Sequence, residues 1–230
     1  MIAVDLGKIE YDECLMLQNK LHSARVDRKI DDMILLLEHE PVITFGKSAG
    51  KDDLLVSEKE LFKQGVNVRR VNRGGKIACH YPGQLVGYAI VDLKERGRDI
   101  SLFVDNLLEI IIRTLSDFGV TAEKSSSLIG IWVDDCKIAS LGIEVKKWVT
   151  MHGFSMNIIE NKDLYSMFVP CGITNKGVTF LESYLDLPEK LDMTSIKDLL
   201  LKNTCEIFKE PVSRYDSFSS FMQEYSYLGL

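Results

Sequence analysis

Ile129-Gly130-Ile131-Trp132-Val133-Asp134-Asp135-Cys136-Lys137-Ile138-Ala139-Ser140-Leu141-Gly142-Ile143-Glu144-Val145 decides the fold. Ala139, Leu141, Ile143 and Val145 alternate with smaller or polar residues, the period of a strand. Asp134-Asp135 supplies a tight turn, so 129–133 and 137–145 read as a hairpin, and a third strand follows from Val149 to Ile158. Upstream, Leu85 to Val91 reads as a buried strand, Val66 to Val71 as an alternating one, and Met33 to Leu37 as a strand ending at Glu38-His39-Glu40-Pro41. A short strand through Val42 and Thr44 follows. Helical spacing marks Tyr11 to Val26, and Ser101 (as N-cap) to Phe118 with Gly119 as the stop. It also marks Thr194 to Phe208 and Ser217 to Tyr227, parted by Pro211. Strands in antiparallel series, preceded and followed by helices, predict an α+β fold: a mixed sheet flanked by helices, residues 1–230 forming one domain.

The composition excludes several classes of function. With 46% hydrophobic and 27% charged residues the chain belongs with ordinary globular proteins. Its formal charge of −6 is wrong for a general nucleic-acid binder, which needs excess Lys and Arg for phosphates. Met1 to Glu13 shows no basic segment followed by an apolar core, and no apolar run reaches membrane-spanning length. The expectation is a cytoplasmic protein that binds neither nucleic acid nor membrane. The five cysteines (Cys14, Cys79, Cys136, Cys171, Cys205) are scattered, with no C-x-x-C pair to suggest zinc, and in a reducing compartment they are expected as thiols. Gly-x-Gly-x-x-Gly is absent, and Gly46-Lys47-Ser48 matches only the last three letters of a phosphate-binding loop.

Four segments could carry chemistry. The first is Arg73-Gly74-Gly75-Lys76-Ile77-Ala78-Cys79-His80-Tyr81-Pro82-Gly83-Gln84, a glycine-rich loop between two strands. Its glycines admit close approach of a ligand to the backbone, or serve a tight crossover. In Lys137-Ile138-Ala139-Ser140-Leu141-Gly142 the lysine reads by itself as a solvated residue at the start of a strand. The alternative is an ammonium facing a cavity floored by Gly142. In His152-Gly153-Phe154-Ser155-Met156-Asn157 strand alternation puts His152 on the face of Phe154 and Met156. There it is a half-buried structural histidine or the polar mouth of an apolar tunnel. In Pro170-Cys171-Gly172-Ile173 a cysteine stands between a φ-locked residue and a permissive one, which suits an exposed nucleophile. A thiol is mostly protonated at neutral pH and needs a neighbouring cation or base, for which Lys137, His80 and His152 are candidates.

Together and in this order, the segments from about Glu38 to Tyr184 resemble the octanoyltransferases of lipoate biosynthesis, also called lipoyl(octanoyl)transferases. The match consists of Arg73-Gly74-Gly75 with His80, Pro82, Gly83 and Gln84; Trp132-Val133; Lys137 to Ile143; His152-Gly153; Asn157; and Pro170-Cys171-Gly172-Ile173. The resemblance implies a fold similar to the catalytic domains of lipoate and biotin protein ligases, and a dyad of Cys171 and Lys137. It implies an octanoyl (or lipoyl) donor in octanoyl-acyl carrier protein. The acceptors it implies are the lipoyl domains of 2-oxoacid dehydrogenases and the glycine-cleavage H protein. No metal or cofactor is called for, since the acyl group arrives activated as a thioester. Binding of substrate falls on Arg73, Gly74, Gly75, Lys76, Ile77, Ala78, Cys79, His80, Ser140, Leu141, Gly142, His152, Gly153, Phe154, Ser155, Asn157 and Gly172.

Three positions depart from the family pattern. Tyr81 replaces a glycine, Cys79 an aromatic residue, and Lys76 a neutral or acidic one, so the loop is expected to make a narrower or differently charged pocket. Amides near Cys171 and at Leu141-Gly142 are candidate oxyanion donors. Arg69, Arg70, Arg73 and Lys76 form a basic cluster suited to an acidic partner or to a solvated strand edge. Three rival readings remain. An ATP-dependent ligase would need no nucleophilic thiol, a thiol hydrolase would use Cys171 with His152 or His80, and a non-catalytic lipoyl-domain binder would need neither dyad residue.

Overall fold

The computed structural model describes residues 1–50, 53–125, 129–169, 177–186, 191–215 and 217–226. The chain opens with β1 (Ile2–Ile9), α1 (Tyr11–Val26), β2 (Met33–His39) and β3 (Val42–Phe45). Next come α2 (Glu58–Lys63), β4 (Asn67–Arg70), β5 (Ile77–His80), β6 (Gln84–Ile90) and α3 (Ile100–Asp117). Strands β7 (Glu123–Lys124), β8 (Ile131–Val133), β9 (Cys136–Lys146) and β10 (Val149–Asn157) form the central run. The chain ends with α4 (Lys162–Tyr165), β11 (Gly177–Val178), α5 (Met193–Phe208), β12 (Ser213–Tyr215) and α6 (Phe218–Glu224).

Among the described residues the large sheet runs β12-β1-β2-β6-β10-β9-β8-β7, with β11 added beside β9, and a small sheet runs β4-β3-β5. Pairing is parallel for β12-β1-β2 and for β11 with β9, and antiparallel from β2 across to β7. The fold is therefore the mixed α+β architecture that the sequence predicts.

Strand alternation explains the layers. Met33, Leu35 and Leu37 of β2 turn to α1 and α6, beside Val86, Tyr88 and Ile90 of β6. Ile34 and Leu36 turn to α3 and α5, beside Leu85, Ala89 and Val91. A strand buried on both faces has no polar side, which is why Met33 to Leu37 is an unbroken apolar run. The small sheet has its own core, with Ile43, Leu61, Ile77, Tyr81 and Phe168.

Several boundaries differ from the sequence reading. β1 was not foreseen, although Ile2, Val4 and Leu6 alternate inward. The loop after Arg73 contains strand β5, held against β3 by the pairs Val42↔His80 to Phe45↔Ile77. Helix α3 is capped by Asp99, whose carboxylate accepts from the Leu102 N–H at 2.9 Å, so Ser101 lies inside the first turn. No helix among the described residues is long and apolar enough to cross a membrane.

Candidate active site

Lys137 stands near the start of β9, where the sequence alone favours a solvated lysine, yet it is only 6% exposed. Its Nζ donates to Ile129 O at 2.8 Å and lies 5.4 Å from the centre of the Trp132 ring. The reason is local. Gly130 has φ 137°, and a Cβ there would overlap Lys137 Cε and lie 2.6 Å from Ala139 O, so only glycine leaves room for the lysine stem.

The Nζ end of the side chain lines a cavity of about 350 Å³. One wall is β9 and β10 with Ser140, Leu141, Gly142, Gly153, Phe154 and Ser155. The glycine loop covers it with Arg73, Gly74, Gly75, Lys76, Ile77 and Ala78. The loop sits tightly because Gly74 N–H donates to Ile143 O at 3.2 Å and a Cβ on Gly142 would come within 2.9 Å of Gly74 O. From behind, the amides of Gly46, Lys47 and Ser48 donate to Lys76 O, Arg73 O and Gly75 O. The stretch that mimics a phosphate loop thus spends its N–H groups on the glycine loop.

Arg73 does not meet the expectation of a docking residue. It is 8% exposed, with Nη2 donating to Thr44 O at 2.8 Å and Thr44 Oγ1 at 2.7 Å. Arg69 is paired with Asp12, Arg70 with Glu58 and Lys76 with Asp53, so the basic cluster is largely answered within the chain.

The opposite wall is a set of neutral rings that the sequence reading largely missed. Tyr11, at the start of α1, stacks on His80 with ring centres 6.1 Å apart and tilts against His39 at 5.1 Å. His39 Nδ1 donates to Ile9 O at 2.8 Å, so its Nε2 accepts from the Tyr88 hydroxyl at 2.9 Å. Burial pushes the imidazole of His39 down to about 4 and the phenol of Tyr11 up to about 12. Tyr11, Tyr88, Val104, Ile129 and Ile143 all line the cavity. Only the inward period of α1 and β6 hinted at the first two.

His152 departs from its expected face. It packs on Tyr88, on the α1 side, whereas Phe154 and Met156 belong to the α3 side. A left-handed φ of 60° breaks the alternation there, and the His152 N–H is taken by Gln18 Oε1 of α1 at 3.0 Å. The ring is 2% exposed, not half-buried, and burial followed by the charges of Arg73 and Lys47 lowers it to about 4.

Cys79 and Asn157 lie outside the main cavity. They line a smaller chamber behind it, together with Lys137, Ser140, Ser155 and Tyr165. Tyr81 is buried in the small-sheet core with its hydroxyl donating to Ile159 O, so neither Tyr81 nor Cys79 narrows the cavity; of the three family departures only Lys76 reaches it. Cys171 and Gly172 lie outside the described residues. Of the chain that follows them, β11 pairs with β9 at Cys136 and Lys137, and Thr179 N–H donates to Lys137 O at 2.9 Å. Among the described residues no group of three or more His, Cys, Asp or Glu side chains is placed to hold a metal ion.

Residues 10–204 match the model of the lipoyl protein ligase A/B catalytic domain. The octanoyltransferase of Caldicellulosiruptor bescii is 49% identical over 179 residues, 77% of this chain and 78% of that one. Among solved structures, a lipoate complex of P. falciparum LipL1 superposes with a TM-score of 0.74 at 19% identity, covering 96% of this chain and 68% of that one. The biotin protein ligase of Aquifex aeolicus superposes with a TM-score of 0.51 at 11% identity, covering 91% and 70%.

Proposed function

The chain belongs to the lipoyl protein ligase A/B catalytic domain family, and from that premise we propose that it transfers an octanoyl group from acyl carrier protein, through a thioester on Cys171, to a lysine of a lipoyl domain or glycine-cleavage H protein. The whole chain acts as one catalytic domain in the cytosol. The observation that carries this reading is the buried Nζ of Lys137 at the wall of a largely apolar cavity. A lysine so placed has no solvation to gain and serves a proton-transfer role instead.

In the proposed cycle Lys137 accepts the proton of the Cys171 thiol, and the thiolate attacks the donor thioester. The tetrahedral intermediate collapses, the carrier thiolate leaves, and Lys137 returns the proton to it. The acceptor amine then attacks the acyl-enzyme, Lys137 takes its proton, and the Cys171 thiolate leaves and is reprotonated. Beyond Ala139 no described strand pairs with the outer edge of β9, and in the proposed cycle the backbone at Leu141-Gly142 offers an amide to the oxyanion.

The test is incubation with octanoyl-acyl carrier protein without ATP, followed by intact-mass and peptide mass spectrometry. A hydroxylamine-labile adduct on Cys171, absent from Cys171→Ser and passed to an added lipoyl domain, is the expected result. An adduct on Cys79, or transfer only when ATP is supplied, overturns it.

A further inference from the structure

A chain of side-chain amides runs from the backbone beside Lys137 to His80, and its direction is forced. Asn157 Nδ2 donates to Thr179 O at 3.1 Å, and a carbonyl can only accept. Asn157 Oδ1 therefore faces the other way, where it accepts from Gln84 Nε2 at 2.9 Å and from the Tyr165 hydroxyl at 2.8 Å. Gln84 then presents Oε1 to His80, and Nδ1 of that ring lies 2.8 Å away and must donate. The relay is stiff because Asn157 and Gln84 are cross-strand partners on β10 and β6.

We infer that Asn157 and Gln84 are positioning residues that hold His80 as the Nδ1-protonated ring, presenting its Nε2 to the acyl cavity as an acceptor for an N–H group of the substrate. The inference rests on the acyl-transfer reading for the identity of that substrate. With Nδ1 engaged and Tyr11 stacked on the ring face, Nε2 is the polar atom left to the cavity that His80 lines. Two groups in the proposed reaction carry N–H bonds: the amide-bearing thiol arm of the carrier and the amine of the acceptor lysine.

The groups around His80 keep it uncharged. Tyr11 of α1, His39 of β2, Arg73 of the glycine loop and His152 of β10 lie around it, and none is an anion at neutral pH. Burial, the neighbouring His39 and Arg73 hold its pKa well below the ordinary imidazole value. His80 is thus an acceptor that orients, and not a base that keeps a proton.

Nitrogen-15 NMR of the full-length enzyme labelled at histidine tests the tautomer without reference to activity. The expected spectrum has a bare Nε2 and a protonated Nδ1 on His80 across the neutral range; a proton on Nε2 overturns the inference. Gln84→Glu places a carboxylate against the ring, which then takes a second proton and loses its acceptor. Gln84→Met cuts the relay without adding charge. Acylation by octanoyl-acyl carrier protein and transfer from the acyl-enzyme to a lipoyl domain are then timed separately. In Gln84→Glu one half-reaction is expected to fall about tenfold or more, the worth of one hydrogen bond, and to recover as pH rises through the new His80 pKa. Loss confined to acylation assigns the N–H to the carrier arm, and loss confined to transfer assigns it to the acceptor amine. Equal, pH-independent losses of both half-reactions in both variants reduce Gln84 to a structural role and sink the proposal. Failure of the wild type to form any acyl-enzyme sinks the transfer reading while leaving the NMR result to judge the relay.

Discussion

The two walls of the cavity are built on opposite principles. The wall of β9 and β10 is made by backbone proximity, with Gly142 admitting Gly74 and Gly130 admitting the stem of Lys137, whose Nζ meets a carbonyl and an aromatic face. The wall of α1, β5 and β6 is made by side chains, a cluster of phenols and an imidazole that burial keeps neutral, backed by His39 of β2. The difference separates the proposed proton transfer from positioning: the first wall holds Lys137, and the second holds donors and acceptors of fixed sense.

Lys137→Met tests that division most directly, since methionine keeps the apolar stem and removes the ammonium. Formation of the acyl-enzyme is expected to fall about 10²- to 10⁴-fold, the usual worth of a positioned acid-base group, with the circular dichroism spectrum unchanged. A variant within tenfold of wild type would move the chemistry off this wall.

The neutral wall should show itself in stability against pH. His39 and His152 sit at about 4 in the folded chain against an ordinary value of 6.5. Between those values the unfolded chain binds protons that the folded one refuses, so stability rises with pH there. The contribution is complete above pH 6.5 and is lost as pH falls toward 4, roughly 3 kcal/mol for each ring if fully expressed. Urea unfolding across this window measures it, and His152→Gln should flatten the slope by about one proton. An equal slope in that variant would mean that His152 is not held neutral.

The same division explains what was legible in the sequence. The hairpin around Asp134-Asp135 and the strand that carries Lys137 are local patterns, and both lie where the sequence put them. Lys137 looked solvated because its burial depends on Gly130, seven positions away across a turn. Tyr11 and Tyr88 looked like ordinary inward residues of a helix and a strand, because their partners His80 and His39 come from other elements. Even within one segment, alternation misplaced His152, since the N–H acceptor that sustains its left-handed turn is Gln18 on α1. Residue types disclose chemistry, whereas the groups that orient it are fixed by contacts made only after the chain has folded.

Gly130→Ala sharpens the first wall with a smaller effect. A Cβ at φ 137° is strained and collides with the lysine stem, so the variant should lose on the order of 2 kcal/mol of stability. It should also slow acylation, because Lys137 must shift to make room. Thermal unfolding and acylation rate are read together; an unchanged rate with lowered stability would separate Gly130 from the placement of Lys137.

Tyr88→Phe makes the smallest change, and its logic depends on a pair. The phenol donates to His39 Nε2, a buried atom with its ring already committed to Ile9 O. Removing the hydroxyl strands that acceptor, at a cost of about 1–3 kcal/mol in urea unfolding, although no apolar contact is lost. Replacing both partners, Tyr88→Phe with His39→Phe, leaves no polar atom to strand and should cost less than the sum of the two single changes. A strictly additive pair would mean that Tyr88 and His39 stabilise the wall by shape alone, and the fixed sense of its donors would then count for nothing in the fold.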